Sequence, residues 1–178
     1  MNMNEAPGVF DGTQTVRFER LLPGPIERVW AYLTESDKRS QWLASGAMPP
    51  LTGGDFMMHF DHSRLSATQE VPPEPYRQYA GGHESLHRLL RFEPPHVLGF
   101  TWGSIQDNLS EVTFELSEAG DQVKLVLTHR NLSGRDEQLD VGPGWHSHLD
   151  VLSERLNGGA PASFWTLFEK IKARYDAL

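Results

Sequence analysis

The sequence predicts an α+β fold in which a curved antiparallel sheet packs against helices, and two observations support this class. Apolar residues alternate with polar ones through several short segments, as strands with one buried face require. The period changes to that of a helix near each end of the chain, so the element types are grouped and do not alternate throughout. The 178 residues suffice for one domain with a substantial core.

The first predicted elements are a strand and two short helices. Residues 13–21 alternate as a half-buried strand, and residues 1–12 are expected to be a flexible N-terminus. The segment PIERVWAYL, residues 25–33, then places its apolar side chains on one helical face behind an initial proline. Ser36 is a suitable cap for a second short helix over residues 37–43.

A long loop separates one further strand from a run of four antiparallel strands. Residues 54–61 alternate as a strand, whereas the prolines and glycines of residues 62–82 predict an irregular segment that forms a lid or the mouth of a site. The four strands that follow are predicted over residues 84–93, 97–103, 110–117 and 122–129. Pro94 and Pro95 end the first of them and impose a tight reversal, because proline donates no hydrogen bond to a sheet.

Two helices are predicted at the C-terminal end. The segment GPGWHSHLDVLSERLNGG is expected to form a long helix that begins near Pro143 and ends before Gly158. Residues 159–178 are expected to add an amphipathic helix that packs back on the same domain. Its apolar stripe consists of Phe164, Phe168, Ile171, Tyr175 and Leu178. A monomer is therefore expected, and the alternative is a dimer formed through this last helix.

Composition and charge exclude several function classes. Lysine and arginine number 16 against 24 acidic residues, and the formal charge of −8 disfavours nucleic acid and anionic membrane surfaces as partners. The chain has no cysteine, which excludes disulfides, thiolate nucleophiles and thiolate metal sites. No segment has the pattern of a leader or the apolar length of a membrane span. We therefore predict a cytoplasmic protein with no membrane partner.

The eight histidines do not have metal-site spacing. His146 and His148 diverge by about 200° on a helix, and His83 and His87 lie about 13 Å apart along a strand. We therefore predict no metal and no other cofactor. The chain also lacks a G-x-S-x-G nucleophile motif, so a chemical step would use a histidine as general acid or base. The candidates are His87, His129 and His148.

Several stretches carry a family resemblance: PIERVWAYLT with QWL, EPPHVLGFTW, SEVTFEL with VKLVLTHRNL, and GWHSHLDVLSERLNG. In this order they resemble the SRPBCC or START-like superfamily, and within it the family similar to the activator of heat-shock-protein-90 ATPase. The resemblance implies a helix-grip fold over residues 13–158, in which six or seven strands wrap a long C-terminal helix. It also implies an apolar cavity between sheet and helix, but no single activity, because one fold serves many functions.

Residues on the inferred inner face of the sheet and on the gripped face of the helix are the candidates for this cavity. Their aromatic rings suit a flat apolar ligand, although most such rings in a folded protein simply pack the core. The candidate ligand-binding residues are Phe56, His87, Phe100, Trp102, His129, Trp145 and Leu149.

The leading functional hypothesis is binding of a small hydrophobic or amphipathic molecule in this cavity, without a committed chemical step. One alternative is an enzyme resembling polyketide cyclases or aromatases, in which a cavity histidine moves a proton. The other is a chaperone-interacting module resembling the ATPase activator itself.

Overall fold

Seven antiparallel strands and four α-helices make up the part of the chain that the computed structural model describes, residues 2–103 and 109–178. The strands are β1 Val9–Asp11, β2 Thr15–Pro23, β3 Asp55–Phe60, β4 His83–Glu93, β5 Val97–Trp102, β6 Ser110–Ala119 and β7 Gln122–Arg130. The helices are α1 Ile26–Thr34, α2 Ser36–Arg39, α3 Arg135–Leu156 and α4 Phe164–Asp176. The predicted α+β class and helix-grip architecture, with a curved sheet around a long C-terminal helix, are confirmed.

The strands form one sheet in the order β1-β2-β7-β6-β5-β4-β3. Strands β4 to β7 form the antiparallel meander that the sequence predicted, and β2 extends the sheet by pairing antiparallel with β7. The register of β4 and β5 shifts between Leu89 and Arg91, which introduces an irregularity at that point. The core lies between the inner face of this sheet and the helices, because the inward residues of the long strands and of α3 are buried together.

The helix α2 is shorter than the predicted helix over residues 37–43, and the Arg39 side chain gives the physical reason. This buried guanidinium donates to the backbone carbonyls of Thr34, Ala44 and Gly46. The chain therefore turns around the arginine after one helical turn, since these carbonyls can converge on it only from a bent backbone.

The helix α3 begins at Arg135, eight residues before the predicted start at Pro143. Glycine on both sides of that proline lowers the helix propensity, so the local sequence does not reveal the earlier turns. A tertiary contact holds them, because the buried Gln138 side chain donates to the carbonyls of Gly12 and Thr15 at 3.2 and 2.7 Å. The start of α3 is thus attached to the turn between β1 and β2.

Two short elements within residues 3–11 correct the expected flexibility of that part of residues 1–12. Val9–Asp11 pairs with β2, and a 3-10 helix spans Met3–Glu5. Asn4 exchanges two hydrogen bonds with the backbone of Leu21, at 2.8 and 2.7 Å. These elements are too short to show a periodic pattern, and they are ordered by their contacts with β2.

The last helix, α4, packs on α3 and buries one apolar face. Four of the five predicted stripe residues are buried, whereas Leu178 lies beyond the helix end and is 68% exposed. Tyr175 also makes polar contacts: its hydroxyl accepts the Gly8 N–H at 2.7 Å and lies 3.0 Å from Nδ1 of His146. Helix α4 therefore connects the N-terminal segment with α3.

Candidate functional site

A cavity of about 340 Å³ lies between the inner face of the sheet, α3, α4 and the segment 62–82, and we call it the aromatic cavity. Eight of its lining residues are Phe60, Tyr76, Tyr79, Trp102, Trp145, Phe164, Trp165 and Phe168. Four more are His62, His83, His87 and His148. The others are Leu43, Ser85, Gly103, Asp140, Val141 and Gly144. The walls are thus mainly aromatic rings with a few neutral polar groups among them.

The structure brings three of the seven predicted site residues to this cavity: His87, Trp102 and Trp145. The other four, Phe56, Phe100, His129 and Leu149, are buried but do not line it. The ring of Phe100 packs against those of Phe56 and Phe114, at centroid distances of 5.7 and 6.1 Å. Aromatic packing thus fills this part of the space between sheet and helix, which the sequence pattern alone did not reveal.

Sequence analysis missed the residues that the cavity receives from outside the central sheet and α3. Tyr76 and Tyr79 come from the segment 62–82, which was predicted only as a lid or mouth. Phe164, Trp165 and Phe168 come from α4. The sequence revealed the apolar stripe of this helix, but not that part of it lines a cavity. The sequence did contain a signal for these residues. It has a long irregular loop and an amphipathic last helix whose apolar face had no predicted packing partner, and both could have been expected to cover the same sheet.

A stripe of polar residues on β4 faces the cavity. His83, Ser85 and His87 occupy alternate positions and therefore share one face of the strand. The His87 Nδ1–H donates to the Thr101 carbonyl at 2.8 Å, and His87 Nε2 accepts from the Ser85 hydroxyl at 2.5 Å. Burial lowers the pKa of His87, so the imidazole is neutral and its Nε2 lone pair can act as a base.

Two other histidines lie beside each other on the opposite wall. The His148 Nδ1–H donates to the Trp42 carbonyl at 2.7 Å, so Nε2 is left as an acceptor in the neutral ring. The His62 ring lies 5.4 Å from that of His148, centroid to centroid. Burial lowers the pKa of His62 to about 3 and that of His148 to about 4, and burial also lowers the pKa of His83. These imidazoles are therefore uncharged at neutral pH.

His129 has a different environment because both of its ring nitrogens have partners in the core. Nδ1 accepts the Trp145 indole N–H at 3.0 Å, and Nε2 lies 2.7 Å from the Ser110 hydroxyl. In this tautomer Nε2–H donates to Ser110, whose hydroxyl in turn donates to the Trp102 carbonyl at 3.2 Å. Burial lowers the pKa of His129 to about 3. His129 is therefore a structural group without access to the cavity.

The lining carries little charge. It contains no lysine or arginine among the residues that the structure describes, and Asp140 is its carboxylate. Burial, followed by the nearby charge of Asp140, raises the pKa of Tyr76 and keeps the phenol protonated. An uncharged ligand therefore suits these walls better than an anion, for which they offer no cationic partner.

Residues 2–103 and 109–178 contain neither a metal-binding cluster of side chains nor a helix that could span a membrane. No group of three or more His, Cys, Asp or Glu side chains has the geometry to hold a metal ion there. None of the helices in that part of the chain is both long and apolar enough to cross a membrane. That the protein binds no metal remains a prediction, which elemental analysis of the untagged protein would test.

Comparisons with known proteins agree with this architecture. The protein encoded by BPP1335 from Bordetella parapertussis is 48% identical, with a TM-score of 0.82 over 99% of this chain and 92% of that one. CalU16 from Micromonospora echinospora is 22% identical, with a TM-score of 0.68 over 93% and 88%. EF2215 from Enterococcus faecalis is 21% identical, with a TM-score of 0.65 over 98% and 90%. The search of the curated proteins found no match.

The family resemblance that the sequence motifs predicted is confirmed by a direct match. The family described as Activator of Hsp90 ATPase homolog 1-like protein matches residues 23–157, which run from the end of β2 to the end of α3. These residues include most of the sheet and the helix that it wraps. The chain therefore belongs to the Activator of Hsp90 ATPase homolog 1-like protein family.

Proposed function

We propose that the protein binds a small, uncharged, largely aromatic molecule in the aromatic cavity. The observation that carries this proposal is the cavity itself, whose volume of about 340 Å³ is bounded by eight aromatic residues. A concave, mainly apolar space of this size with a few polar groups in its walls is the usual form of a small-molecule site. The volume falls at the lower end of the range for small-molecule sites, roughly 300–1,000 Å³.

The walls are preorganised for a flat ring. The rings of Trp102 and Trp145 pack together with their centroids 4.9 Å apart, and the Tyr76 ring stacks on that of Trp165 with a centroid distance of 5.6 Å. The His62 ring packs on Trp165 at 4.8 Å. Because these rings support one another, a ligand that stacks between them does not have to order them first.

The test is a titration with the neutral dye N-phenyl-1-naphthylamine. Trp102, Trp145 and Trp165 line the cavity, so bound dye should quench part of the tryptophan emission while its own emission rises. We expect saturable binding with a stoichiometry of one. Emission that rises linearly with dye concentration, without saturation, would refute the proposal.

A second candidate, an enzyme that moves a proton on a bound molecule, is favoured by one observation. His87 is oriented by the Thr101 carbonyl and contacts the Ser85 hydroxyl, as a general base requires. Among the histidines considered for this role, His129 has no access to the cavity, whereas His87 and His148 line it. Turnover that disappears in His87→Gln, while dye binding persists, would favour the enzyme over a binding protein.

The chaperone-interacting alternative remains a prediction, and a pull-down with purified heat-shock protein 90 would test it.

A further inference from the structure

We infer that Ser85 is a nucleophile that accepts an acyl group, that His87 activates it, and that its substrates are neutral aryl esters. The inference rests on the proposed function, because the aromatic cavity must bind the aromatic part of the ester. A serine hydroxyl, a base in contact with it and a group that orients the base are the usual components of such a site. The structure brings all of them together at Ser85.

The hydrogen bonds of His87 determine the direction of its contact with Ser85. His87 Nδ1 lies 2.8 Å from the carbonyl oxygen of Thr101, which can only accept, so the proton of the neutral ring is on Nδ1. Nε2 is therefore an acceptor, and the Ser85 hydroxyl donates to it across 2.5 Å. A hydroxyl that donates to an oriented imidazole is the arrangement that activates serine in hydrolases.

Both residues are placed where a bound molecule can react with them. Ser85 and His87 line the aromatic cavity, and Ser85 is only half-buried. The His87 ring is 2% exposed and packs against the rings of Phe56 and Trp102, at centroid distances of 5.5 and 5.3 Å. An ester in the cavity can therefore reach the Ser85 hydroxyl, while packing holds the base in place beside it.

A second serine and histidine, Ser110 and His129, are also in contact but have the opposite polarity. Nδ1 of His129 accepts the Trp145 indole N–H, so Nε2 carries the proton and donates to the Ser110 hydroxyl. Ser110 and His129 are 1% and 0% exposed and do not line the cavity. The base and the access that Ser85 has are thus specific features of its position and do not follow from contact with a histidine alone.

In the reaction, the Ser85 oxygen attacks the ester carbonyl carbon, and the hydroxyl proton passes to Nε2 of His87. The bond between the acyl carbon and the aryl oxygen then breaks, the phenol leaves with that proton, and Ser85 carries the acyl group. Water attacks the acyl carbon in the second half, with His87 taking its proton and returning it to the Ser85 oxygen, and a carboxylic acid is released. Aryl esters suit this site because a phenol, with a pKa of about 10, leaves readily and its ring matches the aromatic walls.

The test uses 1-naphthyl acetate, whose hydrolysis releases fluorescent 1-naphthol, together with mass spectrometry of the protein. We expect saturable hydrolysis and an acetyl group that maps to Ser85. Phenylmethanesulfonyl fluoride is a neutral aromatic reagent that forms a stable adduct with activated serines. It should modify Ser85 with a stoichiometry of one and stop the hydrolysis.

Variants assign the two roles. Ser85→Ala and His87→Gln should each lower the rate of 1-naphthyl acetate hydrolysis at least about 100-fold, while the affinity for N-phenyl-1-naphthylamine stays within about threefold. Ser110→Ala is the matched control, because it removes a serine that contacts a histidine outside the cavity. It should hydrolyse the ester at the rate of the unmodified protein.

The outcomes separate this inference from the proposed function. If the dye binds but the unmodified protein hydrolyses the ester no faster than Ser85→Ala, the inference is overturned and the proposed function stands. If the dye does not bind and the ester is not hydrolysed, the proposed function fails as well. Hydrolysis that survives Ser85→Ala but not His87→Gln would show that His87 activates water, which overturns the role of Ser85. A sulfonyl group that maps to another residue of the unmodified protein would overturn it too, and that measurement requires no variant to fold.

Discussion

Trp145 donates its indole N–H to Nδ1 of His129 across 3.0 Å, and this hydrogen bond determines the role of both residues. It fixes the tautomer of His129, whose other nitrogen bonds Ser110, and it fixes the orientation of the Trp145 ring at the cavity wall. A histidine that sequence analysis considered for proton transfer is therefore part of the rigid support behind the site.

We predict that His129→Leu lowers the free energy of unfolding by about 1–3 kcal/mol, because it leaves the Trp145 N–H and the Ser110 hydroxyl buried with fewer partners. Urea denaturation at pH 7.5 measures this loss. Dye affinity of the folded protein should change by less than about threefold, since His129 does not line the cavity and the Trp145 ring remains packed against Trp102 and Phe114. A variant of normal stability that no longer binds dye would contradict this assignment.

Gly144 offers a way to fill the cavity without straining the fold. It lines the cavity, and a Cβ placed on it meets no atom within 4 Å. We expect Gly144→Phe to abolish dye binding and to leave the stability unchanged or higher, because glycine inside a helix costs about 0.5–1 kcal/mol relative to alanine. Dye titration and thermal melting measure the two effects.

The matched control for this substitution is Gly142→Ala in the same helix. A Cβ on Gly142 would lie 3.0 Å from Cε1 of Tyr175, a buried ring that hydrogen bonds to Gly8 and His146 hold in place. Because this ring cannot move aside, we expect the variant to lose more stability through the clash than it gains in helix propensity, and to retain dye binding. Gly144→Phe and Gly142→Ala should thus have opposite effects. Unchanged dye affinity in Gly144→Phe would show that the dye binds elsewhere.

Leu149→Trp tests the boundary between cavity and core. Leu149 is 0% exposed and does not line the cavity, so the added indole has no free space. We expect a loss of about 1–3 kcal/mol in the free energy of unfolding, which chemical denaturation measures. A stable variant that fails to bind dye would instead show that the cavity extends to Leu149.

Stability should decrease as the pH falls below about 6.5. Burial lowers the pKa of His129 and that of His146 to about 3, whereas in the unfolded chain a histidine titrates near 6.5. The unfolded state therefore binds more protons between these values, so the stabilising contribution is complete above pH 6.5 and is lost as the pH falls toward 3. Burial raises the pKa of Asp150 to about 6, which has the opposite effect between its ordinary value and 6 and partly offsets the loss.

Urea denaturation between pH 7.5 and 4.5 checks this dependence. Each buried neutral histidine should contribute up to about 1.4 kcal/mol per pH unit to the slope. His129→Leu should remove the contribution of one histidine, up to about 1.4 kcal/mol per pH unit, from the slope of the unfolding free energy against pH. A free energy of unfolding that stays constant over this range would contradict the neutral state of these imidazoles in the folded protein.

Removal of the residues after Gly159 should weaken both the fold and the site. The deletion removes α4, which supplies Phe164, Trp165 and Phe168 to the cavity wall. We expect a lower melting temperature and loss of dye binding, and we expect the intact protein to sediment as a monomer. An intact dimer that becomes monomeric on truncation would favour the alternative in which α4 forms an interface between copies.

The local pattern of apolar and polar residues in the sequence determined most of the strands, the first helix and the family. The alternation in residues 54–61 and in the three strands from residue 97 predicted β3 and β5 to β7, because a strand with one buried face must alternate, whereas β4 was predicted without a clean alternation. Helical spacing in residues 25–33 predicted α1, and the Pro94–Pro95 pair predicted the reversal between β4 and β5. The motifs in these same elements indicated the family, which the match over residues 23–157 confirmed.

Tertiary contacts determined the structure of the short and irregular segments and their place in the site. The β1 strand and the first turns of α3 have weak local signals, and they are held by β2 and by the Gln138 side chain. The same limit applies to the site: periodicity shows that a side chain is buried, but not whether the space beside it is filled. His87 and His129 both lie on inward strand faces, yet one borders the cavity and the other is enclosed by Trp145 and Ser110. That difference depends on how distant segments pack, and α4 and the segment 62–82 complete the cavity from positions far apart in the chain.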